Sequence, residues 1–138
     1  MIYSVPIISN QTKIMKRSSE KYVIAKDVEW EELGGGVSRK FLGYDNQIMM
    51  VRVKFEKDAL GSPHQHFHTQ ATYCVSGKFE FEIDGERQIV EAGDGVYIEP
   101  NLLHSAVCLE EGELIDTFSP VREDFLSGGE VSYFGDKS

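Results

Sequence analysis

Cysteine is scarce in this chain, since its 138 residues include only Cys74 and Cys108. The two do not form a CxxC pair, so they fit neither a zinc ribbon nor a dithiol redox motif. Two cysteines also cannot supply the framework of several disulfides that a small secreted domain uses. We therefore expect two buried free thiols in a protein of the reducing cytoplasm.

Basic residues and long apolar runs are lacking as well. The sequence has 14 Lys and Arg against 23 Asp and Glu, a formal net charge of -9, and no basic stripe. This balance repels a phosphate backbone and argues against nucleic acid as a partner.

No stretch approaches the roughly 20 apolar residues of a membrane-spanning helix. The first 25 residues lack the order of basic start, apolar core and cleavage site of a signal peptide. We expect no membrane partner.

From Val37 onward the chain has a series of short β-like runs separated by turn residues. Apolar residues fill alternate positions from Met49 to Phe55, and the same alternation recurs over residues 78–83. The second run leads into Asp84-Gly85, a dipeptide typical of a tight hairpin. The remaining runs cover residues 87–91, 96–98, 104–108 and 113–118, with a turn expected at residues 110–112. The pattern predicts one all-β domain, a sandwich or barrel.

All four histidines belong to two short motifs. Three lie in Pro63-His-Gln-His-Phe-His68, and His104 begins a later run. Residues two apart on a strand point the same way, so His64 and His66 present two imidazoles to one face. Gln70 lies far enough along for the chain to return an amide oxygen to the same point. Three imidazoles and one oxygen suit one divalent transition metal ion, whether Ni, Zn, Fe or Mn. The alternative is a chance cluster of surface histidines or a nonspecific metal trap.

These motifs resemble those of the cupin superfamily. The string His64-x-His66-x-x-x-Gln70, with Gly77 after it, resembles the first cupin motif, except that glutamine replaces the usual glutamate. The segment from Gly93 through Pro100 to His104 resembles the second motif, with glycine and proline one residue out of the usual spacing and Leu102 where glycine is common. The resemblance implies a single-domain double-stranded β-helix, or jelly-roll barrel.

The likeness extends to one family within the superfamily. Residues 27–126 resemble the KdgF family of pectin- and alginate-degradation proteins, in residues 37–40, 53–57 and 109–112, in Val75-Ser-Gly-Lys-Phe-Glu-Phe81 and in Phe118-Ser-Pro-Val-Arg-Glu-Asp-Phe125. That family turns 4,5-unsaturated monouronates, released by polysaccharide lyases, into linear keto-uronates. The resemblance implies a metal-dependent, ring-opening and tautomerising enzyme whose substrate is a small unsaturated uronate.

The resemblance also implies a set of site residues. The three histidines and the glutamine of the family's metal site correspond to His64, His66, His104 and Gln70. An aspartate, a phenylalanine and an arginine near the family's substrate resemble Asp116, Phe118 and Arg122.

Asp116 suits proton transfer, because alternation places it between Leu114 and Phe118 on one strand face. Two apolar neighbours indicate a face that points into the barrel, where burial raises the pKa of a carboxyl group. A carboxyl group of this kind can move a proton near neutral pH. The alternatives are a surface or edge aspartate, and for Phe118 a place in the core instead of a pocket wall.

For several other candidate site residues, the sequence leaves two possible roles open. Arg122 could bind the substrate carboxylate through its planar guanidinium, or pair with Glu123 or Asp124. His68 has the parity of an inward histidine but stands where the chain should turn, so we expect it beside the metal site or at its rim. Arg52 is expected to face solvent, with substrate binding as the alternative. Three aromatic residues are expected to pack: Trp30, Tyr73 and Tyr97.

The sequence predicts three segments and leaves two other functions open. Residues 27–126 form the barrel, residues 1–26 are an N-terminal extension that could add a strand or an arm, and residues 127–138 are a C-terminal tail. A mononuclear cupin dioxygenase and a non-catalytic sugar-binding cupin remain alternatives. Because a second subunit often covers sheet edges in this fold, we expect a homodimer with twofold symmetry.

Overall fold

The computed structural model describes residues 15–127, which form eight strands. These are β1 (Glu31–Gly34), β2 (Val37–Tyr44), β3 (Met49–Phe55), β4 (Leu60–His64), β5 (Thr69–Ile83), β6 (Glu86–Glu91), β7 (Gly95–Ile98) and β8 (His104–Ser119). A 3₁₀ turn at Ala25–Asp27 precedes the strands, and a single helical turn, α1 (Glu123–Leu126), follows them. The all-β expectation is confirmed.

Two long strands, β5 and β8, organise the sheet. All pairings are antiparallel, in the order β1-β2-β3-β8-β5-β6, and β4 also pairs with β8 while β7 also pairs with β5. The first half of β5 contacts β7 and its second half contacts β6. The first half of β8 contacts β4 and its second half contacts β3. Because each of the long strands β5 and β8 pairs with different strands along its first and second halves, the sheet folds over on itself and encloses a core.

The turn expected at residues 110–112 is wrong, because β8 continues through it as one strand. The pairing of β5 with β8 instead shifts register between Cys74 and Phe79, opposite this segment. Gly77 has a φ of 85°, and a Cβ there would lie 2.6 Å from the backbone oxygen of Glu110. A Cβ on Gly112 would collide with the carbonyl of Ser76. The glycines therefore permit two backbones to cross closely where the long strands bend.

The alternation expected in β3 is confirmed. Met49, Val51, Val53 and Phe55 are buried in the core, while the residues between them lie on the outer face. The hairpin expected at Asp84-Gly85 is also present, with φ values of 50° and 87°. Burial of the apolar face of each strand, at about 25 cal/mol per Å² of apolar surface, is the main force that holds the folded sheet closed.

Residues 15–26 run as an arm beside the barrel without adding a strand. The Met15 amide donates to the Leu126 carbonyl, and the Ser19 amide donates to the Tyr44 carbonyl. The rest of the expected N-terminal extension, and the C-terminal tail beyond residue 127, lie outside the described residues. Between residues 15 and 127, no helix has the length and apolar character needed to cross a bilayer.

Candidate metal centre and active site

Three histidines meet at one end of the barrel because β4 and β8 are neighbours there. His64 ends β4 directly opposite His104, which begins β8, and His66 follows in the next loop. The imidazole centroids of His64 and His104 lie 4.3 Å apart, and those of His66 and His104 lie 5.0 Å apart. One ring nitrogen from each histidine lies within 4.8 Å of the others, a spacing that a single metal ion can bridge.

Backbone carbonyls hold the Nδ1 side of all three rings. The Nδ1 of His64 lies 2.7 Å from the Ser62 oxygen, and that of His104 lies 2.9 Å from the Leu102 oxygen. The Nδ1 of His66 lies 3.2 Å from the oxygen of His68. An Nδ1–H that donates to a carbonyl leaves the Nε2 lone pair for a metal, which is the usual arrangement around ligating histidines.

Gln70 completes the set from the start of β5. Its Oε1 lies 2.9 Å from the Nε2 of His66. With Nδ1–H directed at the His68 carbonyl, this contact brings two lone pairs face to face, which suits a cation between them. The Nε2 of His104 is buried and has no hydrogen-bond partner among residues 15–127. Both features fit a divalent metal, which would satisfy acceptors that otherwise have no donor.

The electrostatic surroundings keep the imidazoles neutral. Burial is the main cause that lowers the pKa of His66 and that of His104 from 6.5 to about 4, and the positive charge of Arg122 contributes to both shifts. Burial also lowers the pKa of His64 and that of His68. Neutral imidazole is the form that binds metal ions, so the three converging rings are ready to coordinate at neutral pH.

Asp116 lies on β8 with its side chain inside the barrel, where it is 4% exposed. Its Oδ1 accepts a hydrogen bond of 2.7 Å from the Thr72 hydroxyl, which in turn accepts one of 3.0 Å from the Gln70 Nε2. Phe118, two residues along, is buried with its ring 5.7 Å from that of His66. The expected inward position of Asp116 is confirmed, and the alternative of a surface or edge position is wrong.

A small cavity of about 30 Å³ lies under the histidines, with room for about one water molecule. Its lining includes His64, Gln70, His104, Asp116 and Phe118. The largest cavity described, about 1020 Å³, lies elsewhere, between the 15–31 segment and β2, and its lining contains no histidine. The candidate metal ligands and Asp116 therefore converge on the small cavity and not on the large one.

Arg122 is buried beside this cluster and holds Asp124 in a forked ion pair. Its Nε donates to Oδ1 at 3.1 Å and its Nη2 donates to Oδ2 at 2.9 Å. Burial alone would raise the pKa of Asp124, but the hydrogen bond and charge of Arg122 keep it below its usual 3.8. The guanidinium also covers the rings of Phe118 and Phe125, at 5.0 Å and 4.2 Å from their centroids. The structure therefore contains the ion pair that was one of the two interpretations of Arg122.

Comparison with known proteins places this chain in a family. A family model described as "Cupin domain" matches residues 51–118. The pectin degradation protein KdgF of Dickeya dadantii is 47% identical over 108 residues, which are 77% of this chain and 98% of that protein. The chain belongs to the KdgF family of cupins. The expected cupin barrel is thereby confirmed, together with the resemblance on which it depended.

Two solved structures agree with this assignment. An RmlC-like cupin from Shewanella frigidimarina is 42% identical with a TM-score of 0.78, covering 80% of this chain and 99% of the other. The structure of KdgF from Halomonas sp. is 37% identical with a TM-score of 0.75, covering 78% of this chain and 100% of the other. The barrel that carries the histidines is therefore shared with the Halomonas KdgF.

Within this cupin barrel, the remaining candidates lie in distinct places. His68 is buried, stacked at 4.0 Å on Phe67, and lies outside the group of three converging histidines. Arg52 lies on the outer face, as expected, and pairs with Glu113 at 2.6 Å. The packing expected for two tyrosines is wrong, because 51% of Tyr73 and 62% of Tyr97 are exposed.

Trp30 is half-buried and packs under the charged ends of Lys40, Arg52 and Lys54. Thr72 was missed, although the alternation that places Gln70 inward also places residue 72 inward.

Proposed function

We propose that this protein converts 4,5-unsaturated monouronates to linear keto-uronates by ring opening and tautomerisation. The observation that carries the proposal is a buried carboxylate, Asp116, two hydrogen bonds away from an imidazole–amide cluster, inside a barrel that belongs to the KdgF family. The reaction is an isomerisation and needs no oxidant or second substrate. A site with one acid–base group and one cation site has the parts that it requires.

The substrate's structure defines those parts. Its ring oxygen joins C5, at one end of a carbon–carbon double bond, to the hemiacetal carbon C1. Opening the hemiacetal breaks the bond between C1 and the ring oxygen. The C1 hydroxyl loses a proton and becomes an aldehyde oxygen, while the former ring oxygen gains a proton and becomes an enol hydroxyl at C5. The enol becomes a ketone when C4 takes a proton and the enol oxygen loses one. Negative charge therefore develops on the C5 oxygen, beside the substrate carboxylate.

His64, His66, Gln70 and His104 are proposed to hold one divalent metal ion. When bound, such an ion supplies a Lewis acid that stabilises negative charge on oxygen and orients the oxygens it binds. Imidazole and amide oxygen accept Ni, Zn, Fe and Mn alike, so the donor set favours a first-row transition metal. The carbonyls behind each Nδ1 keep the three rings directed at one point.

Asp116 is proposed to move the proton between the hydroxyl oxygens and C4. It is buried, and Thr72 fixes one of its carboxylate oxygens. A positioned acid or base commonly contributes about 10²–10⁴-fold to the rate. Phe118 is proposed to wall the site on its apolar side and to keep water from the enol.

Arg122 is proposed to attract and orient the substrate carboxylate. Its charge is near enough to lower the pKa of every histidine in the cluster, so it acts on the same space. Asp124 holds the guanidinium by Nε and Nη2, which limits its rotation. A planar guanidinium fixed in this way can meet a carboxylate in one orientation.

The substrate source, the oligomer and the compartment are further proposals. Pectin lyase products are favoured by the similarity to the pectin degradation protein of Dickeya dadantii, with alginate-derived uronates as the second source. A homodimer is favoured by an outer face where Tyr73 on β5, Tyr97 on β7 and Met50 on β3 are exposed, with β8 between β3 and β5. An apolar patch of this kind is a common subunit interface. The cytoplasm is favoured by two free, buried cysteines.

The test is to incubate the protein with a lyase-generated unsaturated monouronate and follow the ultraviolet absorbance of the double bond. Loss of absorbance faster than in buffer, with no oxygen uptake at an electrode, is expected. Oxygen uptake that keeps pace with substrate loss would identify the dioxygenase alternative. Tight sugar binding without any loss of absorbance would identify the non-catalytic alternative.

A further inference from the structure

Thr72 joins the two chemical parts of the site. Its hydroxyl lies between the Gln70 amide nitrogen, at 3.0 Å, and the Asp116 carboxylate, at 2.7 Å. Gln70 and Thr72 are alternate residues of β5, and Thr72 is directly opposite Asp116 on β8. All three side chains are buried, with 6%, 4% and 4% exposed, so water cannot easily replace either hydrogen bond.

The directions of these hydrogen bonds follow from counting donors. A threonine hydroxyl has one proton to donate, and a carboxylate has none. Because the Thr72 proton is directed to Asp116, the hydroxyl can only accept a hydrogen bond from its other neighbour. The neighbouring atom of Gln70 must then be Nε2, which leaves Oε1 facing His66. The opposite rotamer of the amide would direct two acceptors at each other at Thr72.

We infer that Thr72 is a positioning residue, which fixes the end of the Gln70 amide that faces the imidazoles. The same contact explains why glutamine occupies position 70, where cupins usually have glutamate. A glutamate would have no N–H for Thr72 to accept, so two carboxylates would compete for one hydroxyl proton. The inference extends the proposed metal site and does not depend on which substrate the enzyme takes.

Thr72→Val is the direct test, because valine keeps the shape of threonine and removes the hydroxyl. Without the hydroxyl, the Gln70 amide can rotate and present Nε2, which carries no lone pair for a metal. Supporting groups of this kind contribute about 10–100-fold to metal affinity. We therefore expect the Kd for Zn²⁺, from competition with a chelator, to rise by about 10-fold or more.

Two matched variants separate this effect from packing. Thr72→Ser keeps the hydroxyl and should bind Zn²⁺ like the wild type. Thr117→Val makes the same change one residue from Asp116, on the outer face opposite Met50 and Ala71, and should also leave the affinity unchanged. If Thr72→Val does not fold, as judged by circular dichroism, Thr72→Ala is measured in the same way.

A double-mutant cycle with Gln70→Ala tests whether Thr72 acts through the amide. Once Gln70 is removed, Thr72→Val should change the Zn²⁺ affinity by less than about twofold. The visible absorption of the Co²⁺-loaded protein gives a second measure, and the spectrum of Thr72→Val should match that of Gln70→Ala. A purely structural role for Thr72 would not make these two spectra alike.

Two results would overturn the inference. One is a Thr72→Val protein that binds Zn²⁺ within about twofold of the wild type, and the other is an undiminished effect of Thr72→Val in the Gln70→Ala background. Neither measurement uses a uronate. A protein that fails to open unsaturated uronates but behaves as described toward Zn²⁺ would refute the proposed function and leave the role of Thr72 intact.

Discussion

Replacing Asp116 with asparagine separates chemistry from packing at this site. The amide has nearly the size of the carboxylate, and its oxygen can accept the same 2.7 Å hydrogen bond from Thr72. The cost to the fold is the difference between a charged and a neutral hydrogen bond, about 1 kcal/mol. For a domain of this size that corresponds to about 4 °C in melting temperature.

The cost to catalysis should be much larger. An amide cannot take up or release the proton that moves to C4, so kcat should fall by about 10²–10⁴-fold. This loss corresponds to about 2.7–5.4 kcal/mol of activation free energy, several times the expected change in stability. KM should change little, because Asp116→Asn leaves Arg122 and the four proposed metal ligands in place.

The assay compares wild type with Asp116→Asn on a purified unsaturated monouronate, by loss of ultraviolet absorbance, after elemental analysis has shown equal metal content. Asp58→Asn is the matched control, because Asp58 is exposed and its φ of 73° is one that asparagine accepts. Near-wild-type turnover by Asp116→Asn would refute the assignment of the proton transfer to Asp116. A lowered melting temperature with an unchanged rate would show a structural carboxylate instead.

Three other predictions concern the imidazoles. His64→Ala and His104→Ala should each lose most of the bound metal yet keep the β-sheet circular dichroism spectrum, and full metal content in both would contradict the site. His68→Ala should keep its metal, unlike His66→Ala, because Gln70 completes the set; equal losses in the two would remove Gln70 from it. Because burial lowers the pKa of His66 and of His104 from 6.5 to about 4, the unfolded chain binds protons first as the pH falls. The metal-free protein should therefore keep its full stability above pH 6.5 and lose part of it between pH 6.5 and about 4. Urea unfolding across that range measures the loss, a His66→Asn/His104→Asn variant should show less of it, and a flat profile for the wild type would contradict the pKa values.

Local rules were enough to predict much of the barrel. The period of two in β3 predicted which side chains enter the core, and the hairpin at Asp84-Gly85 followed from two residues that tolerate positive φ. The pair His64 and His66 predicted two imidazoles on one face, and a closed barrel can bring the start of a later strand, at His104, alongside them. Except for His104, each of these features depends on residues near one another in sequence or on one shared strand face.

Contacts between distant backbones could not be predicted in this way. Glycine is a common turn residue, but Gly112 instead allows the backbones of β5 and β8 to cross closely at Gly77, 35 residues away in sequence. The exposure of Tyr73 and Tyr97, by contrast, follows from local alternation with the buried Thr72 and Ile98 on the same strands. The hydrogen bond from Thr72 to Asp116 requires the register of two long strands, which a local pattern does not define.

The most direct test of the account is the rate of ring opening before and after metal is removed. The protein is stripped with a chelator, assayed on an unsaturated monouronate by ultraviolet absorbance, and assayed again after Zn²⁺, Ni²⁺, Fe²⁺ or Mn²⁺ is restored. We predict that the stripped protein falls to the rate in buffer, that at least one metal restores turnover, and that Asp116→Asn is not restored by any of them. Wild-type turnover by the stripped protein would contradict the central claim.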